Sequence, residues 1–189
     1  MMMISDELFG SFKNTGRDLF LTGAISSHGG NMSVRIGDRI LITRSGSMLG
    51  RLTRNDIVET GIDVCPDDAG CSRELIVHRA IYKTTGALAI VHAHTVHTIH
   101  RSLSSDFIEA LDSESKAILG AVPVVTATQT IASAEAADLL SAALREHKVA
   151  VLRTHGPFAT GATLEEAFYH VSCLEASAHI LDIADATRR

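Results

Sequence analysis

Two apolar runs, "ALAIVHAH" (87–94) and "KVAVLRTHG" (148–156), each end in histidine. A short run that stays apolar without alternating is what a strand covered on both faces needs. Such strands require helices on each side of the sheet, and the rest of the chain provides them. "ISDELFGSFKNTGRDLFLTG" spaces Leu8, Phe9, Phe12 and Leu19 as one helical face, with Asp6 near the start and Gly23 near the end. "SRELIVHRAIYKTTG" predicts a helix with Ser72 as N-cap and Gly86 just past its end. "TVHTIHRSL" predicts one capped by Thr95, "SAEAADLLSAALREH" one capped by Ser133, and "TLEEAFYHVSCLEASAHILDIADATRR" a long closing helix capped by Thr163. "NMSVRIGDRILIT" alternates around Gly-Asp as a β-hairpin, and "DIVETGID" and "VPVVT" are further short strands. The pattern implies a layered α/β domain. With neither a repeat nor a linker in sight, a single domain is expected over 1–189.

Composition narrows the function. A net charge of -5 with no basic stripe excludes nucleic acid as the main partner. No apolar run approaches the roughly 20 residues of a membrane span. The start "MMMISDELFG" carries acids where a secretory signal would carry Lys or Arg. A soluble, cytoplasmic protein is expected, with no membrane partner. The three cysteines are scattered and predict ordinary reduced thiols.

Ten histidines are the unusual feature. Side chains at i and i+2 of a strand share a face, so His92 and His94 can meet at one metal ion. Alone, an HxH pair reads equally as two hydrogen-bonded core histidines. The second run, delivering His155 followed by Gly156, favours three converging imidazoles, as around a catalytic zinc with an open position. His97 and His100 follow at helical spacing and read as surface or supporting residues. Glu74 lies in the first turn of a predicted helix, four residues before His78, where it is either a dipole-stabilising acid or a catalytic one. "SSHGGNMS" (26–33) and "TRSGS" (43–47) are small, hydroxyl-rich turns able to offer N–H and O–H groups to a phosphate, as many hairpin turns also are.

Taken in order, "GGNMSVR", "LITRSGS", "SRELIVHRAIY", "AIVHAHT" and "AVLRTHG" resemble the motifs of the class II aldolase/adducin family. The resemblance covers nearly the whole chain. It implies a predominantly antiparallel sheet flanked by helices, zinc (Zn2+, one per chain) on His92, His94 and His155, and Glu74 as catalytic acid/base. It puts Asn31, Ser45, Gly46 and Ser72 around a substrate phosphate, with Arg73, in place of the family's second serine, as a charged helper. It implies a homotetramer with sites at subunit interfaces. The reaction it implies is aldol cleavage of a fuculose-1-phosphate-like ketose 1-phosphate to dihydroxyacetone phosphate and an aldehyde, through an enediolate that the metal stabilises. A methylthioribulose-1-phosphate-type dehydratase, a 4-epimerase or a decarboxylase would share these residues, and an adducin-like interaction module would need no metal. The sugar-phosphate aldolases carry a tyrosine after the HxH. Here that region reads "LDSESKAILG", which makes Asp112, Ser113 or Glu114 the candidates to replace it.

Overall fold

The computed structural model describes residues 4–188. The elements run α1 (Asp6–Leu21), β1 (Asn31–Ile36), β2 (Arg39–Thr43), β3 (Ile57–Gly61), α2 (Leu75–Thr84), β4 (Ala89–His92), α3 (Val96–Ser102), β5 (Phe107–Glu109), α4 (Ser113–Ile118), β6 (Ala121–Val125), α5 (Ala134–Ala143), β7 (Val149–Leu152), β8 (Gly156–Gly161) and α6 (Leu164–Thr187). The eight strands form one sheet in the order β3-β2-β1-β4-β8-β7-β6-β5. The sheet is mixed. β6 and β7 run parallel, joined through α5 as a parallel pair requires, while the other described pairings are antiparallel.

Helices cover both faces, which explains the unbroken apolar runs. In β4, Ala89 and Val91 face the core under α1 and α6, while Ile90 faces the core under α2 and α5. β7 divides in the same way, Val149 and Val151 to the first core and Ala150 and Leu152 to the second. Alternation survives, but both faces are apolar.

Local signals set most helix starts. Ser5 accepts from Leu8 N at 3.2 Å, Ser133 from Ala136 N at 3.0 Å and Thr163 from Glu166 N at 3.1 Å. Two expected caps differ. Ser72 is not the N-cap of α2: its hydroxyl accepts from Glu74 N at 3.3 Å, and Glu74 itself holds the cap position. Thr95 sits at the cap of α3, but its hydroxyl is buried without a partner among the described residues. The Glu175 carboxylate of α6 takes the role instead, accepting from His97 N and Thr98 N at 2.9 Å each.

Two residues without a glycine's freedom hold positive φ, Ala132 at 53° and Thr154 at 66°. Such conformations cost about 1–3 kcal/mol and persist only where the surroundings impose them. Both flank the site described next.

Candidate metal and anion site

His92 is the last residue of β4 and points to the α2/α5 face, fully buried. Its ring stacks on Phe158, its cross-strand partner in β8, with centroids 3.9 Å apart and planes 12° from parallel. Its Nδ1 lies 3.0 Å from the Pro157 carbonyl, which can only accept. The proton therefore sits on Nδ1 and the Nε2 lone pair faces outward. His94 lies past the strand end rather than on it, yet its Nε2 comes within 3.0 Å of His92 Nε2. His155 is in the turn between β7 and β8, its Nε2 3.3 Å from His92 Nε2. That turn is held by Thr154 N donating to the Ser102 hydroxyl at 3.1 Å. It is also closed by Gly156 at φ 138°, where a side chain would strike the Ala93 carbonyl.

The donor atoms of the three histidines lie within 4.8 Å of one another. Burial lowers the pKa of each, His155 to about 4 with a second contribution from His94, so all three are neutral near pH 7. Neutral nitrogens this close repel unless a cation or proton lies between them. A tetrahedral ion with ligands at about 2.0–2.1 Å sets those ligands about 3.3 Å apart, close to the 3.0 and 3.3 Å that separate His92 Nε2 from the other two nitrogens. The residues fit a metal.

The carboxylate of Glu74 is buried, and burial raises its pKa against the opposing Ala132 hydrogen bond and Arg73 charge. Oε1 accepts from Ala132 N at 3.1 Å. Oε2 is buried with no partner among the described residues, a costly condition that a proton or a cation relieves. This oxygen, too, fits a metal or a proton-transfer role.

Above these groups opens a cleft of about 370 Å³ lined by the three histidines, Glu74, and the anticipated Asn31, Ser45, Gly46, Ser72 and Arg73. Sequence reasoning left several of its walls unassigned. His28, Gly30, Arg44 and Ser47 lie inside the two turns already singled out by their small and hydroxyl residues. Ile131 and the Ala132 N–H had no sequence signal, because one is an exposed loop apolar and the other a backbone group. Gly30 is required at φ 75°, where a Cβ would sit 2.6 Å from the His92 carbonyl oxygen. A larger cleft, about 840 Å³, runs beside β2 and β3. Arg39, Arg44 and Arg54 there are paired with Glu59 and Asp67, the Asn55 carbonyl, and Asp6. Its carboxylates Asp6, Glu59 and Asp67 form no group of three converging metal donors among the described residues, whereas the smaller cleft holds the three histidines.

Other anticipated residues lie elsewhere. Asp112 caps α4 by accepting from Ser115 N at 2.8 Å, Ser113 is exposed beside it, and Glu114 accepts from the Tyr169 hydroxyl at 2.9 Å. None lines the cleft. The short α4 packs on α6, which carries these side chains away from the histidines. His97 and His100 pair with Asp182 of α6 at 2.6 and 2.9 Å, as supporting residues would.

Comparison with known proteins identifies the family. A family described as "Class II Aldolase and Adducin N-terminal domain" matches residues 12–181. The chain is 31% identical to an L-fuculose phosphate aldolase of Methanocaldococcus jannaschii, over 87% of this chain and 90% of that protein. It is 33% identical to a methylthioribulose-1-phosphate dehydratase of Acidiphilium cryptum, over 81% and 79%. Among solved structures, the L-fuculose-1-phosphate aldolase of Thermus thermophilus superposes with a TM-score of 0.94 at 38% identity, covering 97% of each chain. The chain belongs to the class II aldolase and adducin family and is an enzyme of the lyase type.

Proposed function

We propose that the protein is a zinc-dependent aldolase that cleaves a ketose 1-phosphate to dihydroxyacetone phosphate and an aldehyde. The observation that carries this reading is the meeting, at the floor of one cleft, of three imidazole nitrogens and a Glu74 oxygen that has no partner among the described residues. His92, His94 and His155 would hold the ion, with Glu74 as a further contact until substrate arrives. When bound, the ion supplies Lewis acidity for the negative charge that develops on the substrate oxygens. Asn31, Ser45, Gly46 and Ser72 hold the phosphate by neutral donors, and Arg73 adds a charged one. Once a base has taken the C4 hydroxyl proton and the C3–C4 bond has broken, leaving its electron pair on C3 and an aldehyde at C4, Glu74 returns a proton to C3, a task suited to a carboxyl whose proton affinity burial has raised. The working form is one domain over 1–189, in a cytoplasmic homotetramer with its sites at subunit interfaces.

A dehydratase acting on a methylthioribulose-1-phosphate-like substrate is the second reading. It is favoured by a cleft lining without tyrosine among the described residues and by the dehydratase among the relatives. There Glu74 would take the C3 proton and the C4 hydroxyl would leave as water. A screen of ketose 1-phosphates, scoring dihydroxyacetone phosphate release against water loss, separates the two. Water loss alone overturns the aldolase. Neither product, together with no bound metal, overturns both and leaves an adducin-like module.

A further inference from the structure

His78 takes no part in that reading, yet it is fully buried and hydrogen-bonded at both ring nitrogens. Its Nε2 lies 2.6 Å from Asn31 Oδ1 and its Nδ1 2.6 Å from the Ser33 hydroxyl, which lies 2.8 Å from the Tyr82 hydroxyl. Two periodicities build the chain. Asn31 and Ser33 are i and i+2 on β1, and His78 and Tyr82 are i and i+4 on α2, so each pair presents one face to the other.

We propose that His78 is a positioning residue which, held by the Ser33 hydroxyl, fixes the Asn31 amide with its N–H groups toward the cleft. The four groups can be satisfied in one direction only. If Tyr82 donates to Ser33, Ser33 donates to Nδ1 and Nε2–H donates to the Asn31 carbonyl oxygen, every hydrogen in the chain has an acceptor. The Asn31 NH2, which no described residue accepts, then faces the cleft that Asn31 lines. In the reverse direction the Tyr82 hydroxyl hydrogen is buried without an acceptor, because Ser33 is its one described partner. The reverse state would also turn the Asn31 carbonyl oxygen toward the anion. Burial keeps the His78 ring neutral, its pKa lowered to about 3, so the tautomer holds through the physiological range.

The inference rests on the reading of Asn31 as a phosphate contact, and the experiment separates the two. Nitrogen-15 NMR of the metal-loaded wild-type protein reads the tautomer, and inorganic phosphate is the binding probe. His78 should be the Nε2–H tautomer from pH 6 to 8, and an Nδ1–H ring overturns the proposal. Ser33→Ala removes the donor to Nδ1, so it should populate the Nδ1–H form and weaken inorganic phosphate binding roughly tenfold, the worth of one hydrogen bond to a charged group. Tyr82→Phe leaves that donor in place and should change both by less than about twofold. Loss of phosphate affinity in Tyr82→Phe equal to that in Ser33→Ala, with the tautomer unchanged in both, would mean packing alone and sink the relay. Unchanged phosphate affinity in Asn31→Ala, with the expected tautomers intact, would instead refute the phosphate role of Asn31.

Discussion

His155 holds its proton less tightly than a free imidazole, its pKa drawn from 6.5 to about 4 by burial first and by His94 second. His78 is lowered to about 3 by burial alone, and His92 and His94 shift the same way. In the unfolded chain these groups take up protons as pH falls through about 6.5. Below that point the unfolded state binds more protons than the folded one, so stability is present near neutrality and lost as pH falls toward 4. The urea midpoint of metal-free protein should therefore drop steadily between pH 6.5 and 4, and a flat profile would contradict the burial of these rings. Metal occupancy should fall over the same window, since each ligand must stay unprotonated to bind. Glu74 supports a second expectation. Glu74→Gln keeps the acceptor for the Ala132 N–H but removes the titratable acid, so turnover should fall roughly 10²–10⁴-fold. Metal content and inorganic phosphate affinity should change far less. Undiminished turnover would take Glu74 out of the proton transfer.

At the scale of elements, the parts legible in the sequence were those whose signal is local. Ser133 and Thr163 cap as their neighbours require, and β4 and β7 announce themselves because both of their faces are buried. β8 was hidden, since Gly156 and Pro157 read as a turn until neighbouring strands supply the ladder. β5 is three residues long, exposed at both ends, and depends on β6 for its pairing. His94 and His155 converge on His92 although neither lies on the strand that pointed to it, because each turn is held by contacts distant in sequence. The carboxylate that caps α3 and the Ala132 N–H on Glu74 lie farther still from any local pattern. Gly156 is where such a turn is most exposed to test. Alanine there meets both a φ of 138° and the Ala93 carbonyl, which together should cost about 3 kcal/mol, or roughly 6–12 °C in Tm for a chain of this size. The same change should loosen metal binding through His155. Calorimetry showing wild-type Tm would mean the turn relaxes without strain.

For the whole molecule, the sheet leaves β3 and β5 as its edges, and large apolar side chains remain exposed around the outer end of α6 and on α3 and β5. Among them are Ile183 at 53%, Val96 at 65% and Phe107 at 54% exposure. Exposed apolar area of this kind commonly marks an interface. Light scattering should give the mass of four chains at micromolar concentration. A monomer that retains turnover would refute both the tetramer and sites shared between subunits. No described helix is long and apolar enough to cross a membrane.

The adjacency of β4 and β8 also sets an order of events in time. His92 and His155 touch, yet they are 63 residues apart in the chain, with α3, β5, α4, β6, α5 and β7 between them. A newly made chain carrying only His92 and His94 offers two ligands and cannot grip an ion well. The third arrives when β8 zips onto β4, among the most non-local pairings in the fold, and such pairings form late because loop closure precedes their reward. An ion that binds only the finished site leaves the rate of folding alone and acts as a lock on the way out. Stopped-flow measurements should then find the refolding rate indifferent to added zinc and the unfolding rate slowed by it. Faster refolding with zinc would place the triad in the folding nucleus instead.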